Sequence, residues 1–281
     1  MVRMFKGSNS YMPMTAEKTM YLPEILAHHR ADVAQRKAVA DLAALERAAA
    51  AHTPRGFAQS LRTKATAEGL AVIAELKKAS PSRGLIRADF DAAVLAPMME
   101  AGGAAVLSVL TDERFFQGSL ENLRRASAAC TIPCLRKDFM VDAFQVLEAR
   151  ANCADAILLI VAALTDVELR TLRDSARAHE LDVLCEVHDA EELDRALALD
   201  CECVGVNSRD LRTFEVSLDR ACELAAKLPA SAVKVAESGI HTVADMRRLI
   251  AAGYEAFLIG ESLMRQPHPG EALAHLLREA K

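Results

Sequence analysis

The 281-residue chain has no C-x-x-C pair, no H-x-x-x-H spacing, no G-x-G-x-x-G and no long basic run. Each absence removes a class. Its seven Cys and eight His do not cluster at ligand spacing, which counts against zinc. We read the Cys, several of them in apolar strand-like stretches, as buried reduced thiols of a cytoplasmic enzyme. A net charge of −5 without a basic stripe does not suggest nucleic-acid binding. The longest apolar run, Ala156–Leu164, is far short of the roughly 20 residues that span a bilayer. The N-terminus lacks the apolar segment of a secretory signal. What is present is 52% hydrophobic and 26% charged, enough for one large α/β domain or two small ones.

Residues 1–20 are Met-rich, polar and aperiodic, and read as a disordered extension or a start-site artefact. Helical spacing begins at Leu22 and predicts one helix through Ala50, broken by Thr53-Pro54. A second, about Phe57–Glu68, ends at Gly69. From there strands and helices alternate. Strands are expected at Val72–Lys77, Ala105–Val109, Cys134–Lys137, Ala156–Ile160, Val183–Glu186, Cys203–Asn207, Val233–Glu237 and Ala256–Gly260. Eight such units in about 210 residues fit a (β/α)₈ barrel, and residues 21–281 read as one domain. A doubly wound open sheet is the rival, weakened by the missing glycine fingerprint.

The strand ends carry the chemistry. In a strand, residues two apart share a face. Ile73, Glu75 and Lys77 therefore point one way, as do Leu135 and Lys137, Leu184 and Glu186, Gly205 and Asn207, and Val235 and Glu237. One strand ending in a polar group is ordinary, but five converging on one barrel mouth, four of them with charges, are not, because buried charges need partners or a purpose. After strands seven and eight come Glu237-Ser238-Gly239 and Gly260-Glu261-Ser262, with Thr242 placed to cap a helix. Backbone N–H groups at such turns suit a phosphate, and the glycines admit it closely.

IAELKKASPSRG (73–84), LRKDF (135–139), LLIV (158–161), LCEV (184–187), VGVNSRDL (204–211), VAESGI (235–240) and IGESLM (259–264) together resemble the indole-3-glycerol-phosphate synthase family, from about Leu22 to the C-terminus. The resemblance implies conversion of 1-(2-carboxyphenylamino)-1-deoxyribulose 5-phosphate to indole-3-glycerol phosphate, CO₂ and water in tryptophan biosynthesis. It implies no metal and no organic cofactor. By motif position, Lys137 would be the general acid and Glu186 would act in proton transfer during dehydration. Lys77 would hold the substrate's negative groups or act as a second acid, with Glu75, Asn207 and Glu237 positioning and tuning these. Ser238, Gly239, Gly260 and Glu261 would form the phosphate site, Glu261 through its backbone and with its carboxylate turned away. Ser80, Phe139 and Leu158, with Phe116, would line the anthranilate end, and Arg209 would face the substrate carboxylate. The N-terminal helix would lie over the mouth. Carboxylates beside Lys137 favour its charge and burial opposes it; sequence leaves the balance open.

Two other readings make different forecasts. An isomerase on the same fold, such as phosphoribosylanthranilate isomerase, needs a Cys/Asp pair at strand ends, whereas Cys185 and Cys203 lie within strands. A barrel that only binds a phosphorylated ligand has no need of the mouth charges. The expected partner is a small phosphorylated substrate, with no nucleic acid or membrane, acting on a monomer or weak homo-oligomer.

Overall fold

The computed structural model describes residues 21–210 and 215–280; the stretch 1–20 and Leu211 lie outside the described residues. Eight parallel strands close into a barrel: β1 (Ala71–Leu76), β2 (Val106–Leu110), β3 (Cys134–Lys137), β4 (Ala156–Ile160), β5 (Asp182–Val187), β6 (Cys203–Asn207), β7 (Val233–Glu237) and β8 (Ala256–Ile259). Spatial order follows the chain, and β1 closes the ring by pairing with β8. The fold is a (β/α)₈ barrel, with strand ends within one residue of expectation.

Period-two alternation sorts each strand into two faces. Val72, Leu107, Ile157, Cys185, Val204 and Phe257 point outward into the core under the helices. Ile73, Leu135, Leu158, Leu184, Val235 and Leu258 fill the barrel itself. The crossover helices begin with one repeated device. Asp91, Ser119, Asp142, Thr165, Asp189, Ser217 and Thr242 each accept a hydrogen bond from a first-turn N–H. Such caps stabilise by about 1 kcal/mol apiece, so the chain marks where each helix leaves its loop.

The N-terminal segment departs from expectation. Instead of one helix to Ala50 there are two, Tyr21–Val39 and Leu42–Ala51, because Asp41 takes the Ala44 N–H (2.9 Å) and starts a new helix. The second packs on the helix Ala143–Ala151, where Arg150 Nε donates to the Ala49 carbonyl. A third, Phe57–Glu68, falls where predicted and plugs the bottom of the barrel with Phe57, Ala58 and Leu61 against Ala71, Cys203 and Val233.

The reading of all cysteines as reduced thiols is corrected at one pair. Cys185, on the outer face of β5, is joined to Cys201 in the turn before β6. Periodicity placed Cys185 outward but said nothing of the turn that returns beside it.

One buried carboxylate ties the third helix's entry loop to the barrel. Asp155, fully buried before β4, accepts from Arg55 N (2.8 Å), Arg55 NH2 (2.6 Å), His52 Nε2 (3.1 Å) and Cys134 N (2.6 Å). Burial works to raise its pKa, but the His52 and Arg55 contacts prevail and hold it below the ordinary carboxylate value. Its contribution is therefore present above the unfolded pKa of about 3.9 and lost as pH falls further. Asp155→Ala should destabilise the fold at pH 7 by about 3–5 kcal/mol, with the deficit shrinking in acid. Urea unfolding at pH 7 and about pH 3.5 checks both; a deficit independent of pH would refute the ionic account.

Candidate active site

The inner face of the barrel changes character at its carboxyl end. Above Ile73, Leu135, Leu184 and Val235 the next inward positions are Glu75, Lys137, Glu186 and Glu237. Asn207 stands beside Glu237 in the β6–β7 register. A Cβ on Gly205 would strike Glu237, so that glycine makes room for the carboxylate below Asn207.

Lys137 Nζ lies 2.9 Å from Glu186 Oε2 and 3.9 Å from Glu237 Oε2. Asn207 Nδ2 donates to Glu186 Oε1 at 3.0 Å. Lys77 is folded onto Glu75, Nζ to Oε1 2.6 Å. Burial alone would discharge Lys137, but Glu186, Glu237 and Glu75 outweigh it and raise its pKa above the ordinary lysine value. Burial likewise opposes ionisation of Glu186, yet Lys137, then His188 and Asn207, hold it far below the usual carboxylate range. Glu237 goes the other way: burial and then the Glu186 charge push its pKa well up, against the opposing pull of Lys137. Two adjacent carboxyls are thus driven apart, one toward the anion and one toward the neutral acid, the pattern that separates acid and base roles.

Every candidate site residue of the sequence lines this one cavity: Glu75, Lys77, Ser80, Phe116, Lys137, Phe139, Leu158, Glu186, Asn207, Arg209, Glu237, Ser238, Gly239, Gly260 and Glu261. One end is apolar, made by Leu110, Phe116, Phe139, Leu158 and Ile160. Phe116 sits on the short helix Glu113–Phe116, started by Asp112, whose Oδ1 accepts from the Phe115 and Phe116 N–H groups. At the other end Ser238 and Gly239 both have left-handed backbone (φ 64° and 73°). A Cβ on Gly239 would come within 2.5 Å of Val216 Cγ1. Gly260 has a reason sequence did not show: a Cβ there would lie 2.5 Å from Glu75 Oε1. Its bareness seats the Glu75 carboxylate. The Glu261 carboxylate is engaged by Arg83 Nε (3.3 Å) and Arg265 Nε (3.0 Å).

Sequence reasoning missed the residues that hold the N-terminal helix. Leu22 and Ile25 of Tyr21–Val39 line the cavity, whereas Leu42–Ala51 does not. His29 is buried, with Nε2 2.8 Å from Asp112 Oδ2, Nδ1 3.7 Å from Asp138 Oδ1, and its ring on Phe139. Asp138 in turn accepts from Thr111 Oγ1 (2.6 Å) and from Arg136 NH2 (2.9 Å), a buried arginine on the outer face of β3. His29, Asp112 and Asp138 have ligand atoms within 4.8 Å of one another, a metal-like grouping, but both carboxylates are engaged by protein donors. The only local sequence signal was Asp138 in LRKDF; its partner His29 lies far away in the chain.

The model of the indole-3-glycerol phosphate synthase family matches residues 22–276. The chain belongs to the indole-3-glycerol phosphate synthase family. It is 57% identical over 256 residues to the indole-3-glycerol phosphate synthase of Koribacter versatilis, covering 91% of this chain and 98% of that one. To that of a Polaromonas species it is 51% identical, covering 91% and 97%. Among solved structures it is similar to 3-hexulose-6-phosphate synthase (TM-score 0.59, 17% identity, 75% and 99% covered) and to thiamine phosphate pyrophosphorylase from Pyrococcus furiosus (TM-score 0.57, 14% identity, 76% and 96% covered). At those identities the two show the barrel fold alone. The family is one of carboxy-lyases of tryptophan biosynthesis that act on a small phosphorylated substrate, and no described helix is long and apolar enough to cross a membrane.

The upward displacement of Glu237 has a stability consequence. A proton kept by the native state but released by the unfolded chain above about pH 4.3 makes stability fall as pH rises. Glu237→Gln removes that term. Relative to wild type its Tm should therefore improve as pH rises above about 5, until the native carboxyl itself ionises. A flat difference across that range would mean that Glu237 is ionised in the fold.

Proposed function

We propose that this mouth forms indole-3-glycerol phosphate with Lys137 as general acid and Glu186 as the proton acceptor. The observation that supports it most is Lys137 held charged between Glu186 and Glu237 at the junction of an apolar and a polar end of one cavity. The anthranilate ring fits between Phe116, Phe139 and Leu158, against Ser80. The phosphate fits at the opposite end, on backbone of Ser238, Gly239, Gly260 and Glu261. The arginines at Glu261 keep that carboxylate occupied and leave net positive character for an anion. Arg209, on the same wall, serves the substrate's negative groups.

The steps then follow from charge. The ring carbon bearing the carboxylate attacks the ribulose carbonyl carbon, and the carbonyl pair moves to oxygen, which takes the Lys137 proton. The bond to the carboxylate breaks, CO₂ leaves and its electron pair restores the aromatic ring. The new hydroxyl departs as water with a second proton, given by Lys77 on the same cavity, while the adjacent carbon gives a proton to Glu186. Because an anionic carboxylate leaves as neutral CO₂, each turnover takes up one proton. Lys77, released from Glu75, holds the substrate's negative groups, and Asn207 fixes the Glu186 carboxylate. No step calls on a metal or an organic cofactor. The enzyme acts in the cytoplasm as a monomer or weak homo-oligomer.

Offering the protein the carboxyphenylamino-deoxyribulose phosphate should produce indole fluorescence. Lys137→Ala should lower kcat by roughly 10²–10⁴-fold with a smaller change in KM, because ring and phosphate are held elsewhere. Its Tm should fall as Glu186 loses a counter-charge, so kcat is counted per folded molecule. Near-wild-type kcat on that basis would make Lys137 structural and pass the acid role to Lys77.

A further inference from the structure

His188 is a buried titratable group with no part in the steps above. It follows β5 two residues after Glu186 and is 7% exposed. Its Nδ1 and backbone N–H both reach Glu192 Oε2, at 2.9 and 2.8 Å. Glu192 belongs to the helix Ala190–Leu197, capped by Asp189, so the ring is fixed by the start of its own crossover. The other nitrogen, Nε2, makes no hydrogen bond among the described residues and approaches Glu186 Oε1 at 3.4 Å. That oxygen is the one Asn207 holds; Lys137 holds the opposite one.

We propose that His188 is a positioning residue that keeps Glu186 ionised while Lys137 turns to the substrate. The inference rests on the proposed roles of Lys137 and Glu186. Once Lys137 Nζ leaves Glu186 for the carbonyl oxygen, a buried carboxylate is left beside Glu237, and its easiest relief is to take the Lys137 proton itself. That would disarm acid and base together. A cation aimed at the oxygen Lys137 does not use prevents the short circuit, since an opposite charge within about 4–6 Å favours the ionised carboxylate. The imidazole suits the task. Burial works against its charge, but Glu186 and Glu192 prevail and lift it to about 10. The groups around it are consistent with a standing cation. Glu186 faces it from β5, Glu192 from the following helix. Asp189, Glu191, Arg195, Asp210 and Arg220 share the adjoining cleft. There Arg195 pairs with Asp166 (2.7 Å) and Arg220 approaches Asp210 (3.9 Å), so both cations face carboxylates.

The test is the pH profile of kcat in His188→Gln, beside KM and Tm. Gln keeps a donor but loses the charge. We expect the acidic limb of kcat to move up by about 1–3 units and KM to stay within about twofold. A variant with reduced Tm but the wild-type limb and kcat per folded molecule would overturn the proposal and make His188 structural. Glu192→Gln keeps an acceptor for the His188 N–H and weakens the imidazolium. It should move the same limb in the same direction by less, and decides the matter if His188→Gln does not fold; an unmoved limb there overturns the proposal. Glu186→Gln is measured in parallel. If it keeps wild-type kcat, the role given to Glu186 has failed and this inference fails with it. If it is inactive while His188→Gln leaves the limb in place, only the present inference is lost.

Discussion

The ion pair of Lys137 with Glu186 is the constraint around which the mouth is arranged. Three carboxyl groups, Glu75, Glu186 and Glu237, stand nearly dry at the end of a barrel whose interior below them is mostly apolar. Ions removed from water are tolerated only when paired and hydrogen-bonded, and an unmatched one is expelled or neutralised. Glu75 is matched by Lys77 and Glu186 by Lys137, and Glu237 is the carboxyl driven toward its neutral form. Backbone is shaped to this arrangement as well. Gly205 and Gly260 are bare where a Cβ would collide with Glu237 and Glu75. Polar side chains set the geometry here, and the strands yield space to them.

Much of this was legible because a parallel barrel repeats one rule. Side chains alternate, ligands meet the carboxyl ends, and charged residues at inward positions converge on one place. Glu75 and Lys77, Lys137, Glu186, Asn207 and Glu237 were placed on one mouth by counting in twos, and all six line one cavity. Of the caps that start the crossover helices, Thr242 alone was read in advance, and it does accept the Asp245 N–H.

The rest depended on partners distant in the chain. Nothing local to His29 points to Asp112, 83 residues away, and nothing local to Cys185 shows that the turn at Cys201 returns beside it. Asp41 was hidden by the Ala-rich pattern on both sides, which continues a helical period through a residue that ends one helix and caps the next. Gly260 shows a subtler failure. The residue was found, but the reason given, approach of an anion, was incomplete, because Glu75 arrives from a strand 185 positions earlier. Local pattern locates an inward-facing position; which neighbour fills the space is a tertiary fact.

The same distinction separates the barrel from what covers it. The first helix buries Ile25, His29 and Val33, while most of its surface faces solvent. Val33 packs with Val141 and Phe144 in a small apolar cluster separate from both barrel cores. Leu26 packs against the same cluster and the His29 ring on Phe139, and the polar attachments are His29 to Asp112 and Asp138, Arg30 to Glu168, Arg36 to Glu148 and Lys37 to Asp142. An element held by few apolar contacts opens at a lower free energy than the core it covers. The core under it is complete without it, since no residue of Tyr21–Val39 belongs to either barrel cluster. Yet its polar anchors are the residues that fix the mouth: Asp112 starts the helix that carries Phe116, and Asp138 follows Lys137 directly. Docking of this helix and ordering of the apolar wall beside Lys137 therefore draw on the same carboxylates, which ties the cover to the loops that carry the mouth.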